Sequence, residues 1–124
     1  MSCEERIRQH ALDLGFDAVG IAPARRAPHA AAFFQWLEEG CAAGMAWMAR
    51  DPERRADPRK VLPGARSAVV VGLSYFVEEP PSELWDDPLR GRIARYAWGR
   101  DYHDEIEPLL RELARAIRAE AGGT

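Results

Sequence analysis

The run Ser67–Tyr75, Ser-Ala-Val-Val-Val-Gly-Leu-Ser-Tyr, sets the first condition on the fold. Three consecutive valines favour extended backbone, because branching at Cβ restricts χ1 and suits a pleated surface. Side chains alternate across a strand, so an unbroken apolar run puts apolar surface on both of its faces. The run predicts a central strand covered on both sides, with Gly72 marking a close approach by another backbone or a ligand.

The segments before it read as helices and one further strand. Cys3, Ile7, Ala11 and Leu14 form one apolar stripe over residues 2–14. Ser2 with Glu5 has capping-box spacing, and Gly15 stops the helix. Phe16–Ala22 is a short strand ended by Pro23. A second helix spans His29–Glu39 and is closed by Gly40; Phe33, Phe34, Trp36 and Leu37 require cover over most of its circumference. Cys41–Arg50 holds Gly-Met-Ala-Trp-Met, a short apolar turn or helix.

Arg50–Lys60 changes character. Its arginines and lysine sit among Asp51, Glu53 and Asp57, and prolines at 52 and 58 preclude a continuous helix. Asp57-Pro58 suits the start of a short helix ending at Pro63-Gly64. Composition alone favours a solvated loop here, although guanidinium groups on a loop also grip amides, carboxylates or phosphate through planar, bidentate bonds. Val77–Leu89 reads as a polar, acidic loop.

From Arg92 to Trp98 the chain is β-prone, Gly99 supplies a turn, and Asp101 stands where a helix N-cap belongs. This predicts a strand, a tight corner and a helix start, where unpaired N–H groups can be met by a ligand. The window holds Arg95, Arg100, Tyr96, Trp98, Tyr102, Asp101 and His103, a mixture suited to a large, flat, partly anionic ligand. The last helix spans residues 101–121, with Tyr102, Ile106, Leu109, Leu113 and Ile117 on one face and Glu107, Arg111 and Arg115 as a charge ladder. Pro108 predicts a separate first turn or a later start.

Composition narrows the function classes. A length of 124 residues is one domain, and no apolar run nears the ~20 residues of a membrane span. The N-terminus lacks an apolar signal core, which leaves the cytoplasm as the expected compartment. A net charge of −3 gives no global basic field, and the preference for arginine over the single Lys60 reads as a coding bias that leaves room for a local basic patch. Cys3 and Cys41 are far apart in sequence and unaccompanied, which argues against a disulfide framework or a zinc site, and no four-cysteine run for an iron–sulfur cluster occurs. No metal ligand set is expected. Asp101 and His103 are a nonspecific acid–base pair, and no hydrolase, phosphate-loop or dinucleotide motif is found. Residue chemistry alone gives a soluble α/β domain with a candidate ligand site.

The motif Ala94-Arg95-Tyr96-Ala97-x-Gly99-x-Asp101-Tyr102-His103 resembles the signature of the epoxyqueuosine reductases. Leu14-Gly15-Phe16 with Gly20-Ile21, and Trp36-Leu37 through Gly44-Met45 to Trp47-Met48, are similar to the opening of that family. Residues 55–67, Arg-Ala-Asp-Pro-Arg-Lys-Val-Leu-Pro-Gly-Ala-Arg-Ser, look like its second motif, and Val71–Tyr75 like the strand after it.

The resemblance implies an α+β fold: an incomplete nitroreductase-like, cobalamin-binding domain with about three strands and three to four helices. Residues 1–124 would be the N-terminal part of that domain, and the C-terminal ferredoxin-like iron–sulfur domain would be absent. The implied enzyme reduces epoxyqueuosine to queuosine at the tRNA wobble position, using cobalamin fed by two [4Fe–4S] clusters that this chain cannot bind. Arg55 would contact the corrin periphery and the backbone at Ala94 would lie against the cofactor, the arginine loop and the aromatic corner together making a shelf. Arg95, Tyr96, Asp101, Tyr102 and His103 would shape the pocket. The proton-donating aspartate of the family would lie beyond Thr124, so no catalytic residue is assigned and the chain alone is expected to be inactive. Expected partners are the tRNA, no membrane, and the remaining C-terminal portion, the chain being otherwise a monomer. Two other readings stay open: a non-catalytic corrinoid- or tRNA-binding module, and a flavoprotein fragment of nitroreductase type.

Overall fold

A computed structural model describes residues 1–122, so the last two residues of the expected domain lie outside the described residues. Its helices are α1 (Cys3–Asp13), α2 (Ala30–Glu38), α3 (Ala46–Ala49), α4 (Pro52–Ala56), α5 (Ser82–Trp85) and α6 (Tyr102–Glu120). Strands β1 (Ala18–Pro23) and β2 (Ser67–Gly72) form a two-stranded sheet. The Asp17 N–H donates to the Gly72 carbonyl and the Ala24 N–H to the Arg66 carbonyl, so the strands are antiparallel. Among the described residues there are therefore two strands and six α-helices, where about three strands and three to four helices were expected. None of the helices is long and apolar enough to cross a membrane.

The chain divides into two units, Met1–Gly20 with Val71 onward, and Ile21–Val70. In the first, Ser2 caps α1 with the expected reciprocal box: its hydroxyl accepts from the Glu5 N–H, and the Glu5 carboxylate accepts from the Ser2 N–H. Gly15 follows at φ +100°, a conformation that costs glycine little. The buried face of α1, Ile7 and Ala11, packs with α6 and its buried Leu113. Phe16, at the end of the turn after α1, is buried in the same unit. Arg6 Nε donates to Glu120 Oε2 at 2.5 Å, and His10 Nε2 lies 3.4 Å from Glu120 Oε1.

The second unit is held by small residues. Ala24, Ala30, Ala42 and Ala56 are its buried apolar side chains, with Phe33, Phe34, Trp36 and Leu37 of α2 half-buried around them. The Ala27 N–H donates to the Ala56 carbonyl at 2.8 Å, and α2 packs on α4. Prolines divide the charged stretch as expected: α4 ends at the buried Asp57, which caps a 3-10 turn at Pro58–Lys60. The Asp57 carboxylate accepts from the Arg59 backbone N–H at 3.0 Å and from Arg59 Nη2 at 2.7 Å.

Four expectations are corrected. Arg92–Trp98 is not a strand: Arg95–Ala97 is a 3-10 turn, in which Ala97 N–H donates to the Ala94 carbonyl and Trp98 Nε1–H to the Ile93 carbonyl. β-Propensity needs a neighbouring ladder, and here local partners satisfy the backbone instead. β2 is not covered on both faces: with a single neighbour, Val69 and Val71 are half-buried while Val70 is 60% exposed. The acidic loop contains α5, whose last turn is closed by Arg92 Nη2 donating to the Trp85 carbonyl at 2.8 Å. Finally, α6 runs unbroken through Pro108. Pro108 and Asp104 are both exposed, so water can serve the Asp104 carbonyl that the proline leaves without an amide. On this helix Arg111 pairs with Glu107, but Arg115 pairs with Glu112 at 2.8 Å rather than extending a ladder.

Candidate functional site: a tyrosine-lined cavity

Three of the sequence-expected residues converge in the first unit through their rings. Tyr96, on the 3-10 turn, stands edge-on to Tyr102 at the start of α6, with ring centroids 6.1 Å apart. Its other neighbour is Tyr75, also edge-on, at 6.5 Å. The ring edge is positive and the face negative, so this T-shaped chain is favourable as well as apolar. Tyr102 also stacks on His103, centroid to centroid 4.0 Å.

Gly99 at φ +80° turns the chain from the 3-10 turn into α6, bringing Tyr96 and Tyr102 to the same side. Asp101 is the N-cap: Oδ1 accepts from the His103 N–H at 2.9 Å and lies 2.8 Å from His103 Nδ1. The backbone bond first, and the imidazole second, hold the Asp101 carboxyl below its ordinary range. Asp101 is thus an ionised cap at neutral pH, and Nδ1 is the imidazole nitrogen of His103 that it contacts.

Around the tyrosines lies a cavity of about 290 Å³, lined by Leu73, Ser74, Tyr75, Tyr96, Tyr102 and Ile106. A second space of about 370 Å³ shares Tyr75, Tyr96 and Tyr102 and reaches Phe76, Trp98 and Arg100. A third, also about 370 Å³, lies against Tyr96, Gly99, Asp101, Tyr102 and His103. The wall combines aromatic faces with hydroxyl and guanidinium donors, chemistry that suits a flat ligand with a polar rim.

Arg95 is the best-fixed charge of this group. Its guanidinium is 2.9 Å from Glu79 and lies over the rings of Phe76 at 4.7 Å and Trp98 at 5.4 Å. Ala94 begins the turn, its carbonyl accepting from the Ala97 N–H at 2.9 Å. Arg55 belongs to the second unit. It is exposed, with Nη2 donating to the Trp47 carbonyl at 2.9 Å and its guanidinium over the Trp47 ring at 5.1 Å.

The structure thus brings together Tyr96 with Tyr102, and Asp101 with His103. Sequence reasoning missed Tyr75, Leu73 and Ile106 as cavity walls. Their signal was present: Leu73 and Tyr75 are two apart in extended chain, and Ile106 is one helical turn beyond Tyr102. The Glu79 partner of Arg95 had no such signal, since no periodicity links the two.

A family model described as epoxyqueuosine reductase QueG, DUF1730, matches residues 55–124. The chain belongs to the epoxyqueuosine reductase family. The match takes in the tyrosine cavity's 3-10 turn and all of α6, and the sequence resemblance is borne out. Among the chain's relatives are proteins named epoxyqueuosine reductase from Synechococcus sp. (strain CC9605), 42% identical over 90% of this chain and 34% of the relative, and from Gloeobacter violaceus, 44% identical over 95% of this chain and 36% of the relative. The protein of that name from Xanthomonas campestris pv. campestris is 38% identical over 94% of this chain and 34% of its own length. The chain therefore spans about a third of the length of these family members. No solved structure matches it significantly.

Proposed function

We propose that this chain builds part of the cofactor and substrate pocket of an oxidoreductase that reduces epoxyqueuosine to queuosine in tRNA, with cobalamin as the cofactor. Membership of the family supports the reaction class. The pocket reading rests on one observation, the Tyr75–Tyr96–Tyr102 chain of rings lining a cavity beside a pinned arginine. On this reading the fold is the nitroreductase-like cobalamin-binding type. Two cysteines are too few for a four-cysteine cluster, so the two [4Fe–4S] clusters of the proposed enzyme are held by residues other than these.

The residues fit one edge of a corrin ring. Tyr96, Tyr102 and Ile106 offer flat apolar surface to a macrocycle, and Ser74, Arg100 and the tyrosine hydroxyls offer partners to its peripheral amides. A space of about 370 Å³ is at the low end of the roughly 300–1,000 Å³ of small-molecule sites, so it seats part of so large a ligand. When bound, cobalamin supplies a reducible metal centre for removing the epoxide oxygen. The chain's own tyrosines would offer their rings to the ligand, and Arg95, held by Glu79 and by the rings of Phe76 and Trp98, would fix the turn that carries Tyr96.

The test is a titration of the chain with hydroxocobalamin, read by visible absorption. The expected result is a saturable perturbation of the corrin bands, weakened in Tyr96→Ala and in Tyr102→Ala. A flat response overturns the cofactor reading, and retention of flavin mononucleotide without a corrin response replaces it with a nitroreductase-type flavoprotein.

A further inference from the structure

The net charge of −3 conceals a division along the chain. Ile21–Val70 carries eight arginine and lysine residues against five carboxylates, a net of +3, while the other unit carries nine against fifteen, a net of −6. Within Ile21–Val70, Arg26 pairs with Glu53, Arg54 with Asp51 and Arg59 with Asp57. Arg25, Arg50, Lys60 and Arg66 are exposed, and among the described residues none has a carboxylate at ion-pair distance.

Two backbone bonds gather these cations. Ala24 N–H donates to the Arg66 carbonyl at 2.9 Å, and Ala27 N–H to the Ala56 carbonyl at 2.8 Å. The loop carrying Arg25 and Arg26 is therefore stitched on one side to Arg66 and on the other to the end of α4, which leads directly to Arg59 and Lys60. Arg26 reinforces the second stitch through Glu53 at 2.6 Å. Two further stretches of sequence, one holding Arg66 and one leading to Lys60, are thus joined by backbone bonds to the loop that carries Arg25. Trp47, 51% exposed, adds an aromatic ring in the same unit, overlaid by Arg55.

We propose that this cluster is a docking surface for the phosphate backbone of RNA. Arginine outnumbers lysine here seven to one, and its planar fork matches phosphate oxygens in pairs. Phosphate contacts of this kind position a nucleic acid without reading its sequence. The inference rests on the proposed function and deepens it by assigning the contact to the substrate's backbone to Arg25, Lys60 and Arg66. The coding-bias reading of the arginine preference does not account for two further stretches being joined to that loop.

The experiment is fluorescence anisotropy of a labelled RNA stem–loop with the full chain over a series of salt concentrations. Binding is expected to weaken linearly in log–log form, by about 0.7–0.9 in slope per phosphate neutralised. The triple variant Arg25→Gln/Lys60→Gln/Arg66→Gln is expected to lower that slope by about 2–3 and to weaken low-salt binding tenfold or more. Arg25→Lys/Arg66→Lys, which keeps the charge, is expected to restore the slope, and circular dichroism verifies that each variant is folded. No RNA binding at low salt, or an unchanged slope in the triple variant, overturns the proposal, as does stronger binding to phosphatidylserine vesicles than to RNA. A corrin response without RNA binding sinks this inference alone; RNA binding of the expected slope without a corrin response leaves the surface standing and removes the cofactor reading.

Discussion

The guanidinium of Arg6 and the carboxylate of Glu120 meet at 2.5 Å, joining α1 to α6 across 114 positions of sequence. The hydrogen bond from Arg6, followed by that from His10, holds the Glu120 carboxyl below its ordinary range. A depressed carboxyl stabilises the fold above its unfolded value and loses that contribution as pH falls. We expect a double-mutant cycle of Arg6→Ala and Glu120→Ala to show favourable coupling in thermal melts at neutral pH and low salt. The coupling should shrink in acid and in high salt, because both partners are partly exposed.

Asp57 gives the sharper acid signature. The hydrogen bonds from the Arg59 side chain lower its carboxyl from 3.8 to about 2, against the opposing effect of its burial. Between those two values the unfolded chain binds more protons than the folded one, so stability rises with pH. The contribution is complete above the unfolded value and disappears as pH approaches about 2. Asp57→Asn should lower stability at neutral pH and flatten the acid limb of a denaturation-against-pH curve. An unchanged limb would show that the Asp57–Arg59 contact contributes nothing.

Leu113 is the buried centre of α6, 3% exposed, whereas Leu110 is 43% exposed. Leu113→Ala should cost about 2–5 kcal/mol through lost burial and the cavity left behind. Leu110→Ala should cost under about 1 kcal/mol. Urea denaturation followed by circular dichroism distinguishes them, and equal costs would refute the packing described for α6.

Arg95 tests the order around the 3-10 turn. Arg95→Lys keeps a charge for Glu79 but loses the planar overlap with Phe76 and Trp98, an effect on the order of 1 kcal/mol. We expect a shift of tryptophan emission and faster proteolysis between residues 76 and 98. Wild-type emission and cleavage rates in the variant would show that the overlap is dispensable.

The parts of the fold legible in the sequence are those decided within one helical turn. Ser2 with Glu5, Gly15, Asp57-Pro58 and Asp101 all act through bonds to residues two or three positions away, and each is found in its expected place. Arg92–Trp98 was misread because its strand propensity depends on a neighbour that local sequence cannot supply. The Arg6–Glu120 and Arg95–Glu79 pairs were illegible for a related reason: a charge on an exposed surface carries no mark of its distant partner. Of the candidate site, the motif located Tyr96, Asp101, Tyr102 and His103, while Tyr75 became a wall only once the chain had turned at Gly99.

Val70 has a practical consequence. An uncharged Ser-Ala-Val-Val-Val-Gly segment, with one valine turned outward and a single neighbouring strand among the described residues, is a template onto which further copies can stack as a fibril precursor. Concentrating or warming a solution of this polypeptide will therefore favour slow self-seeding, and a lysine at position 70 is the gatekeeper that would delay it.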